Sequence, residues 1–290
     1  MVSAMTPQAG ILLPVATSAR YVALALTPGA EPRAILDRLR ALRVDDSIVI
    51  GIGEPFVRAV GATVPGLKTF PALSGVGCEV PSTQAALWIH TRARDPGDSL
   101  HAIRRALAAI GAGVRIEEDI VAYKHDTGRD LSGFEDGTAN PHDQAAVTAA
   151  ITSDGGSFVA AQRWIHDLAR LESFSARDRD RLVGRDLASN AELADAPATA
   201  HVKRAEQESF DPPAFMVRRS MPYGGVVEHG LYFVSYVAAL HAFERMMRRM
   251  VGLDDGLVDG LFQFTRPVSG GYYWCPPVSG AHLDLRSITL

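Results

Sequence analysis

The stretch DLSGFEDGTANP, residues 130–141, places two acidic residues between glycines and ends in a proline. Gly133 and Gly137 permit backbone conformations that other residues resist, and the terminal proline cannot continue a helix. We therefore expect Glu135 and Asp136 on a tight, rigid loop. Asp-Gly is foremost a turn signal, so one interpretation is that the loop has no role beyond the turn. The alternative is that the loop orients one of the two carboxylates toward a ligand.

A histidine and an arginine further along the chain could act with such a carboxylate. His201 follows the polar segment ELADAPATA and could point into a cavity, although an isolated histidine is more often solvated than a metal ligand. Arg218 and Arg219 lie on a predicted strand and point to opposite faces, so one of them must face the packed side. A buried arginine requires an anionic partner. His166 and His241 lie in predicted ordered elements and could support a site indirectly.

Composition limits the class of protein. The chain has 290 residues, of which 47% are hydrophobic, so it can bury a large core. Its 33 acidic and 29 basic residues give a formal charge of −4 without a dense basic stretch, which argues against nucleic acid as a partner. Its two cysteines, Cys78 and Cys275, are too few for a disulfide framework and fit a reducing compartment.

Signals for membranes or export are weak. No segment approaches the ~20 consecutive apolar residues that a membrane helix needs. The run GILLPVA near the N-terminus is short, broken by proline and not preceded by positive charge, so it is a poor signal peptide. These features predict a cytoplasmic protein without a membrane partner.

Hydrophobic periodicity predicts the elements that must position these residues. In the first half of the chain, strands are predicted at 21–27, 47–53, 85–93 and 114–125, and helices at 32–42, 54–62 and 98–113. Asp98 or Ser99 is expected to cap the last of these helices, and Gly111 or Gly113 to close it. Two β-α-β units with a long connection between them form the split βαβ, or ferredoxin-like, plan.

The second half repeats this order of elements without repeating the sequence. Strands are predicted at 157–167, 214–220, 230–238 and 270–277, and helices at 175–184 and 239–252. The apolar face of the last helix consists of Leu240, Phe243, Met247 and Met250. We expect an α+β protein with two ferredoxin-like domains, 1–145 with the acidic loop and 146–290, and a junction across residues 138–156.

Several motifs occur together in one order. GFEDG, residues 133–137, matches the Gly-x-x-Asp-Gly motif of dye-decolourising peroxidases. QRWIHDL, AHVKR, VRRSMPYG, HGLYFVSY and FTRPVSGGYYW follow in the order and spacing of the B-type, porphyrinogen-peroxidase-like subgroup. The chain resembles this family from residue 8 to residue 274. The resemblance implies two ferredoxin-like domains in a dimeric α+β barrel-like fold, with haem held in the C-terminal half.

The resemblance also assigns roles to single residues. It implies one haem b per chain, with His201 as the axial ligand of the iron and with Asp136 and Arg218 on the opposite, distal side. It further implies that three residues contact the cofactor: Thr138, Ser220 and Phe233. Imidazole is a usual axial ligand in haem peroxidases, a nearby carboxylate can move the protons of peroxide, and a fixed guanidinium can stabilise developing negative charge.

Two details of the family pattern stay open. Ser220 stands where many B-type members have asparagine, which leaves the division of catalysis between the acid and the arginine undecided. A metal-bound histidine also needs an acceptor for its other ring nitrogen. Asp259 is the first candidate to accept from His201, with Asp254 and Asp255 as alternatives, and a plain loop role is the competing interpretation of all three.

The leading hypothesis is a haem peroxidase that uses hydrogen peroxide to oxidise bulky aromatic or porphyrin-like donors in one-electron steps. A haem-binding or haem-handling protein with little turnover is the alternative, because it would share every ligand residue. A ferredoxin-like dimerisation module without a cofactor would not need the acid, the histidine and the arginine.

Three further expectations follow from the resemblance. Electrons are expected to leave through aromatic side chains, with five candidates: Trp88, Trp164, Trp274, Tyr272 and Tyr273. A homo-oligomer is expected. The tail SGAHLDLRSITL looks more like an ordinary ending than like an encapsulin cargo peptide, so delivery into a nanocompartment is not supported.

Overall fold

The computed structural model describes residues 5–288. The strands are β1 (Ser18–Leu26), β2 (Ile48–Gly53), β3 (Leu73–Gly75), β4 (Cys78–Val80), β5 (Leu87–Ala93), β6 (Val114–Tyr123), β7 (Ser157–His166), β8 (Val217–Arg218), β9 (Met221–Gly224), β10 (His229–Val237), β11 (Thr265–Pro267), β12 (Gly271–Cys275), β13 (Val278–Ser279) and β14 (His282–Leu283). The α-helices are α1 (Pro32–Ala41), α2 (Glu54–Ala59), α3 (Pro96–Ile110), α4 (Asp143–Ala150), α5 (Leu168–Ser173), α6 (Ala176–Val183), α7 (His201–Arg204) and α8 (His241–Met250).

Eight strands form a closed ring. The large sheet has the order β11-β7-β12-β2-β5-β1-β6-β9-β10-β8, and β10 pairs in addition with β7. This antiparallel pairing runs from Gly230 opposite Ile165 to Val237 opposite Phe158 and closes the sheet as a barrel, with β11 and β8 outside the ring. Helices together with a closed antiparallel sheet agree with the predicted α+β, barrel-like fold class.

Side chains on the strands alternate between the barrel interior and its outer face. Aromatic rings fill the interior: the ring centroids of Tyr21 and Tyr232 are 4.1 Å apart, and those of Trp88 and Tyr273 are 5.9 Å apart. The outer face of the sheet packs against helices. Of the four apolar residues predicted for its inner face, helix α8 buries Phe243, Met247 and Met250, and Leu240 is buried directly before the helix begins.

Helix α3 begins earlier than predicted, at Pro96. Asp95 caps it in place of Asp98 or Ser99, because the Asp95 side chain accepts a hydrogen bond from the Asp98 N–H. Proline suits the first helical position, where its missing N–H costs nothing. Gly111 ends the helix with a φ of 73°, as expected for a glycine at this point.

The strand predicted at 214–220 is shortened to β8, and a second strand that was not predicted, β9, follows it. Ser220 lies in the gap, and its hydroxyl accepts a hydrogen bond of 3.3 Å from the Val234 N–H. A side-chain acceptor thus takes the place of a main-chain carbonyl and interrupts the ladder.

Arg219 contradicts the expectation of an anionic partner. Its guanidinium donates hydrogen bonds to the carbonyl oxygens of Leu12 and Leu13, at 2.7 and 2.6 Å. Burial lowers the pKa of Arg219. Main-chain carbonyl groups therefore satisfy the guanidinium of Arg219. Arg218, the preceding residue and the last of β8, points to the outer face of the barrel.

The predicted junction contains a helix, α4, in place of a purely irregular segment. Strands from both halves of the chain share the sheet, since β12 pairs with β2 and β9 pairs with β6. The division into domains 1–145 and 146–290 stays a prediction. Across the described residues, no helix is both long enough and apolar enough to cross a bilayer.

Candidate active site

An apolar cavity lies on the outer face of the barrel, against β7, β10 and helix α8. The space that no atom occupies in it is about 880 Å³, part of it open to solvent. Aromatic and aliphatic side chains form most of its surface, among them Trp164, Phe233, Phe243 and Met247. Ionisable groups reach it from two sides. We call these the histidine wall (residues 201–204 and 259–263) and the aspartate wall (residues 128–140 and 217–218).

The histidine wall holds one imidazole in a fixed orientation. His201 begins the four-residue helix α7, and its Nδ1 lies 2.8 Å from Oδ2 of Asp259. Asp259 is 1% exposed, and its other oxygen accepts a hydrogen bond of 2.8 Å from the Leu261 N–H. A carboxylate on Nδ1 leaves Nε2 of His201 as the nitrogen that can bind a metal.

The two alternative acids lie elsewhere. Asp255 makes two hydrogen bonds with the guanidinium of Arg204, at 2.6 and 2.7 Å. Asp254 lies 3.4 Å from Arg248. Among the three acids proposed from the sequence, Asp259 is therefore the one hydrogen-bonded to His201 in the structure.

The aspartate wall separates the roles of its two adjacent acids. Glu135 also borders the cavity, but its exposed carboxylate is engaged by the protein and accepts hydrogen bonds from Arg129 at 3.2 Å and from Asn190 at 2.9 Å. Oδ1 of Asp136 lies 3.9 Å from Nη1 of Arg218 at the cavity. The glycine at position 137 has a φ of 80°, a left-handed conformation that the loop needs directly after the acid.

Two side-chain amides attach this loop to the strand that carries Arg218. Asn140 accepts a hydrogen bond from the Arg218 N–H at 2.8 Å and donates one to the Arg218 carbonyl at 3.1 Å. Gln207 donates to the Ala139 carbonyl and accepts from the Met216 N–H, both at 2.8 Å. Neither amide was predicted from the sequence. Asn140 does lie within the quoted loop motif, but nothing in the sequence indicates its partner.

A buried histidine–aspartate pair also borders the cavity. His166 places Nε2 3.0 Å from Oδ1 of Asp130 and Nδ1 2.6 Å from the Thr265 hydroxyl. That hydroxyl donates to the Ile165 carbonyl, so the ring of His166 is held between a carboxylate and a hydroxyl oxygen. Burial alone would raise the pKa of Asp130, but His166 and the Ser132 hydrogen bonds lower it below its usual value.

Three further residues were predicted to contact the cofactor, and they do not all lie at the cavity. Phe233 borders the cavity. The Thr138 hydroxyl accepts a hydrogen bond from Asn190 at 3.1 Å, and neither Thr138 nor Ser220 is among the residues that border the cavity. The Ser220 hydroxyl accepts its hydrogen bond from the Val234 N–H, within the sheet. Of the three, only the phenylalanine is brought to the cavity.

Two buried donors at the cavity have no partner within the described part of the chain, Nε of Arg218 and Nε2 of Gln162. A buried donor without an acceptor is costly, so such atoms mark the place of a ligand that carries polar groups. An apolar cavity with an oriented imidazole on one side and an acid–arginine pair on another is the arrangement of a cofactor-dependent enzyme.

Comparison with known proteins identifies the family. The model of the Dyp-type peroxidase N-terminal part matches residues 43–124, and the model of the C-terminal part matches residues 127–280. The chain belongs to the Dyp-type peroxidase family. This membership confirms the family and the α+β, barrel-like fold class predicted from the motifs; the B-type subgroup stays a prediction.

Individual relatives resemble the chain over nearly its whole length. The dye-decolorizing peroxidase of Brevibacterium linens is 31% identical over 93% of this chain and 80% of the relative. The dye-decolorizing protein of V. cholerae has a TM-score of 0.83 and 29% identity, covering 93% of this chain and 96% of that one. A variant of DypB from Rhodococcus jostii RHA1, solved in complex with heme, has a TM-score of 0.85 and 26% identity over the same shares.

Proposed function

We propose that this protein is a haem-dependent peroxidase that reduces hydrogen peroxide and oxidises dyes or other organic reductants. One observation carries the proposal: His201, oriented by Asp259, borders the same apolar cavity as the pair Asp136 and Arg218. The family gives the class of reaction, and relatives with heme in this fold support the cofactor.

The cavity fits a haem group. Its apolar surface suits the porphyrin, and Nε2 of His201 is the nitrogen that would bind the iron. The unpartnered donors of Arg218 and Gln162 can satisfy polar atoms of the cofactor or of its ligand. Haem iron, when bound, supplies the centre at which peroxide is activated and to which the reductants return electrons.

The chain's own groups then manage protons and charge. Asp136 would accept a proton from one oxygen of peroxide and deliver it to the other, which leaves as water. Arg218 would stabilise the negative charge that develops on the leaving oxygen, because Asn140 holds its main chain and its guanidinium lies 3.9 Å from Asp136. Asp259 would hold His201 in one tautomer throughout.

The finer predictions concern reductants and cellular setting. Bulky aromatic dyes or porphyrinogen-like compounds are the proposed donors, and a cytoplasmic homo-oligomer is the proposed form. The alternative role of a haem-handling protein would need His201 and the cavity but not the acid–arginine pair, so the presence of that pair favours turnover.

An absorption spectrum of the haem-loaded protein before and after one equivalent of peroxide tests the function. We expect the Soret band to change when peroxide is mixed in. An organic dye added afterwards should be bleached, and the original Soret band should then be restored. The double variant Asp136→Ala with Arg218→Leu is the matched control, since it keeps His201 and the cavity. A wild-type protein that holds haem but leaves its spectrum unchanged with peroxide would favour the haem-handling role.

A further inference from the structure

The loop of residues 128–137, which carries Asp136, is a small hairpin. The chain turns at its tip, residues 130–133, where the N–H of the last residue of the turn donates a hydrogen bond of 2.9 Å to the carbonyl of the first. Arg129 and Glu135 pair across the hairpin as an antiparallel bridge, and Asp136 directly follows this pair. Because the two sides are bonded to each other, a displacement of the tip would move Asp136 as well.

Two attachments hold this hairpin against different strands. Beyond its end, the side chain of Asn140 is hydrogen-bonded to the main chain of Arg218 on β8. At its tip, Oδ1 of Asp130 lies 3.0 Å from Nε2 of His166, the last residue of β7. Asp136 lies between the two attachments along the chain, so its position depends on both.

His166 is itself fixed from the other side. Its Nδ1 lies 2.6 Å from the hydroxyl of Thr265 on β11, and its ring packs against Phe264 with centroids 5.9 Å apart. Burial raises the pKa of Asp130, but His166 and Ser132 lower it below its usual value, so the carboxylate accepts and Nε2 of His166 donates. Both ring nitrogens are thus engaged by the protein, and His166 acts on the site through Asp130.

An ion pair is not needed merely to fill the space between the hairpin and β7. Removing charged groups from water is costly, and replacing a buried ion pair by apolar residues of similar volume is often neutral or stabilising. A hydrogen bond differs from an apolar contact because it fixes direction as well as distance. The side chains of Asp130 and His166 are only 13% and 4% exposed, so this pair indicates a need to hold the tip of the hairpin in one place.

We propose that His166 is a positioning residue for the reaction with peroxide: through Asp130 it holds the tip of the hairpin so that Asp136 faces Arg218. The inference rests on the proposed peroxidase function, because the placement of Asp136 matters only if its carboxylate moves the protons of peroxide. A displacement of about 1 Å in a reacting group can cost about a hundredfold in rate. His166 therefore influences the rate without a hydrogen bond to peroxide.

The attachment is tested without peroxide, by amide hydrogen exchange of the haem-loaded protein. His166→Phe keeps a ring but removes both nitrogens, so residues 130–137 should exchange about tenfold faster than in the wild type. His166→Gln keeps a donor near the place of Nε2 and should restore most of the protection. His101→Phe, at an exposed position on α3, is the control and should exchange like the wild type.

Unchanged exchange of residues 130–137 in His166→Phe would overturn the attachment. Asp130→Asn keeps the shape of the pair and removes its charge, so it should show the same direction of change. This variant decides the question if His166→Phe does not fold, and wild-type exchange in it would then overturn the attachment.

The effect on Asp136 is tested by stopped-flow mixing of the haem-loaded variants with peroxide. His166→Phe should keep its haem and react about tenfold or more slowly, and His166→Gln should recover most of the rate. In an Asp136→Ala background, His166→Phe should slow the reaction no further, because the group that it positions is already gone.

An equal slowing by His166→Phe in both backgrounds, or no slowing in the first, would overturn the positioning role. A simple loss of stability would lower the rate in both backgrounds, so the comparison separates the two explanations. If the wild type holds haem but does not react with peroxide, the peroxidase function has failed, whereas the exchange measurement still decides the attachment.

Discussion

The histidine wall and the aspartate wall differ in how completely their polar atoms are satisfied. Nδ1 of His201 is paired with a carboxylate that is itself fully buried and doubly hydrogen-bonded. Asp136 and Arg218 instead face each other at 3.9 Å, beyond hydrogen-bond distance, and Nε of Arg218 has no partner among residues 5–288. The difference suggests that the first wall is built to hold a group and the second to act on a ligand that arrives later.

The two walls also differ in how they are held. Asp259 fixes His201 directly, through one side-chain contact between residues 58 positions apart. The aspartate wall is held through its backbone, because the side chain of Asn140 is hydrogen-bonded to both the N–H and the carbonyl of Arg218. Changes in the histidine wall should therefore affect cofactor retention, whereas changes in the aspartate wall should affect reaction rates with the cofactor still bound.

The largest effect is expected from His201→Ala. Removal of the nitrogen proposed to bind iron should lower the haem affinity by more than about a hundredfold, since the loss of even an outer partner of a metal ligand commonly costs about 10–100-fold. The Soret absorbance per chain after reconstitution measures this. His241→Ala, at an exposed position on α8, is the control and should load haem normally. Normal loading of His201→Ala would refute the histidine wall as the iron-binding side.

Arg218→Leu and Asp136→Ala should keep haem and slow the first spectral change after stopped-flow mixing with peroxide. Arg218 is the less exposed of the two, and loss of one preorganised donor costs about 3 kcal/mol, or about a hundredfold or more in rate. Loss of a proton relay costs roughly a hundredfold to ten-thousandfold, but Asp136 is partly exposed, so water can partly replace its carboxylate. We therefore expect the arginine variant to be slower. If both variants react at the wild-type rate, the aspartate wall has no catalytic role.

Asp259→Asn is expected to have an intermediate effect. It should change haem retention and leave the rate of the reaction with peroxide unchanged. The amide keeps the shape but loses the charge that orients His201, so haem affinity should fall by about 10–100-fold. Competition with apomyoglobin measures the rate of haem loss, and Asp254→Asn serves as the matched control. If Asp259→Asn changed the peroxide rate and not haem retention, the proposed contrast between the two walls would be wrong.

The smallest effect is expected from Asn140→Ala. Two hydrogen bonds to the Arg218 main chain are removed, and each contributes about 0.5–1.5 kcal/mol, so the free energy of unfolding should fall by about 1–3 kcal/mol. The loosened arginine should also slow the peroxide reaction by about tenfold, with haem content unchanged. Urea unfolding and stopped-flow mixing measure the two effects, and Gln144→Ala on the exposed face of α4 is the control. If Asn140→Ala lost haem but reacted with peroxide at the wild-type rate, the proposed difference between the two walls would be wrong.

Local features of the chain were predictable because they depend on neighbours in sequence. The periodicity of α8 identified its buried face, and the glycine after Asp136 indicated a left-handed turn. The motif series indicated the family and, through it, His201, Asp136 and Arg218 as candidate residues. Composition and motifs together predicted a peroxidase, which the family confirms.

The tertiary structure decided the contacts between distant residues. Hydrophobic periodicity reports which face of an element is buried, but not which element covers it. Asn140 and Arg218 are 78 positions apart, and only the packed chain shows that they are bonded. The same holds for Ser220 and Thr138, whose hydroxyls bond to the protein away from the cavity, and for the pairing of β10 with β7 that closes the barrel. Sequence determined which residues were available for chemistry, and packing determined which of them meet.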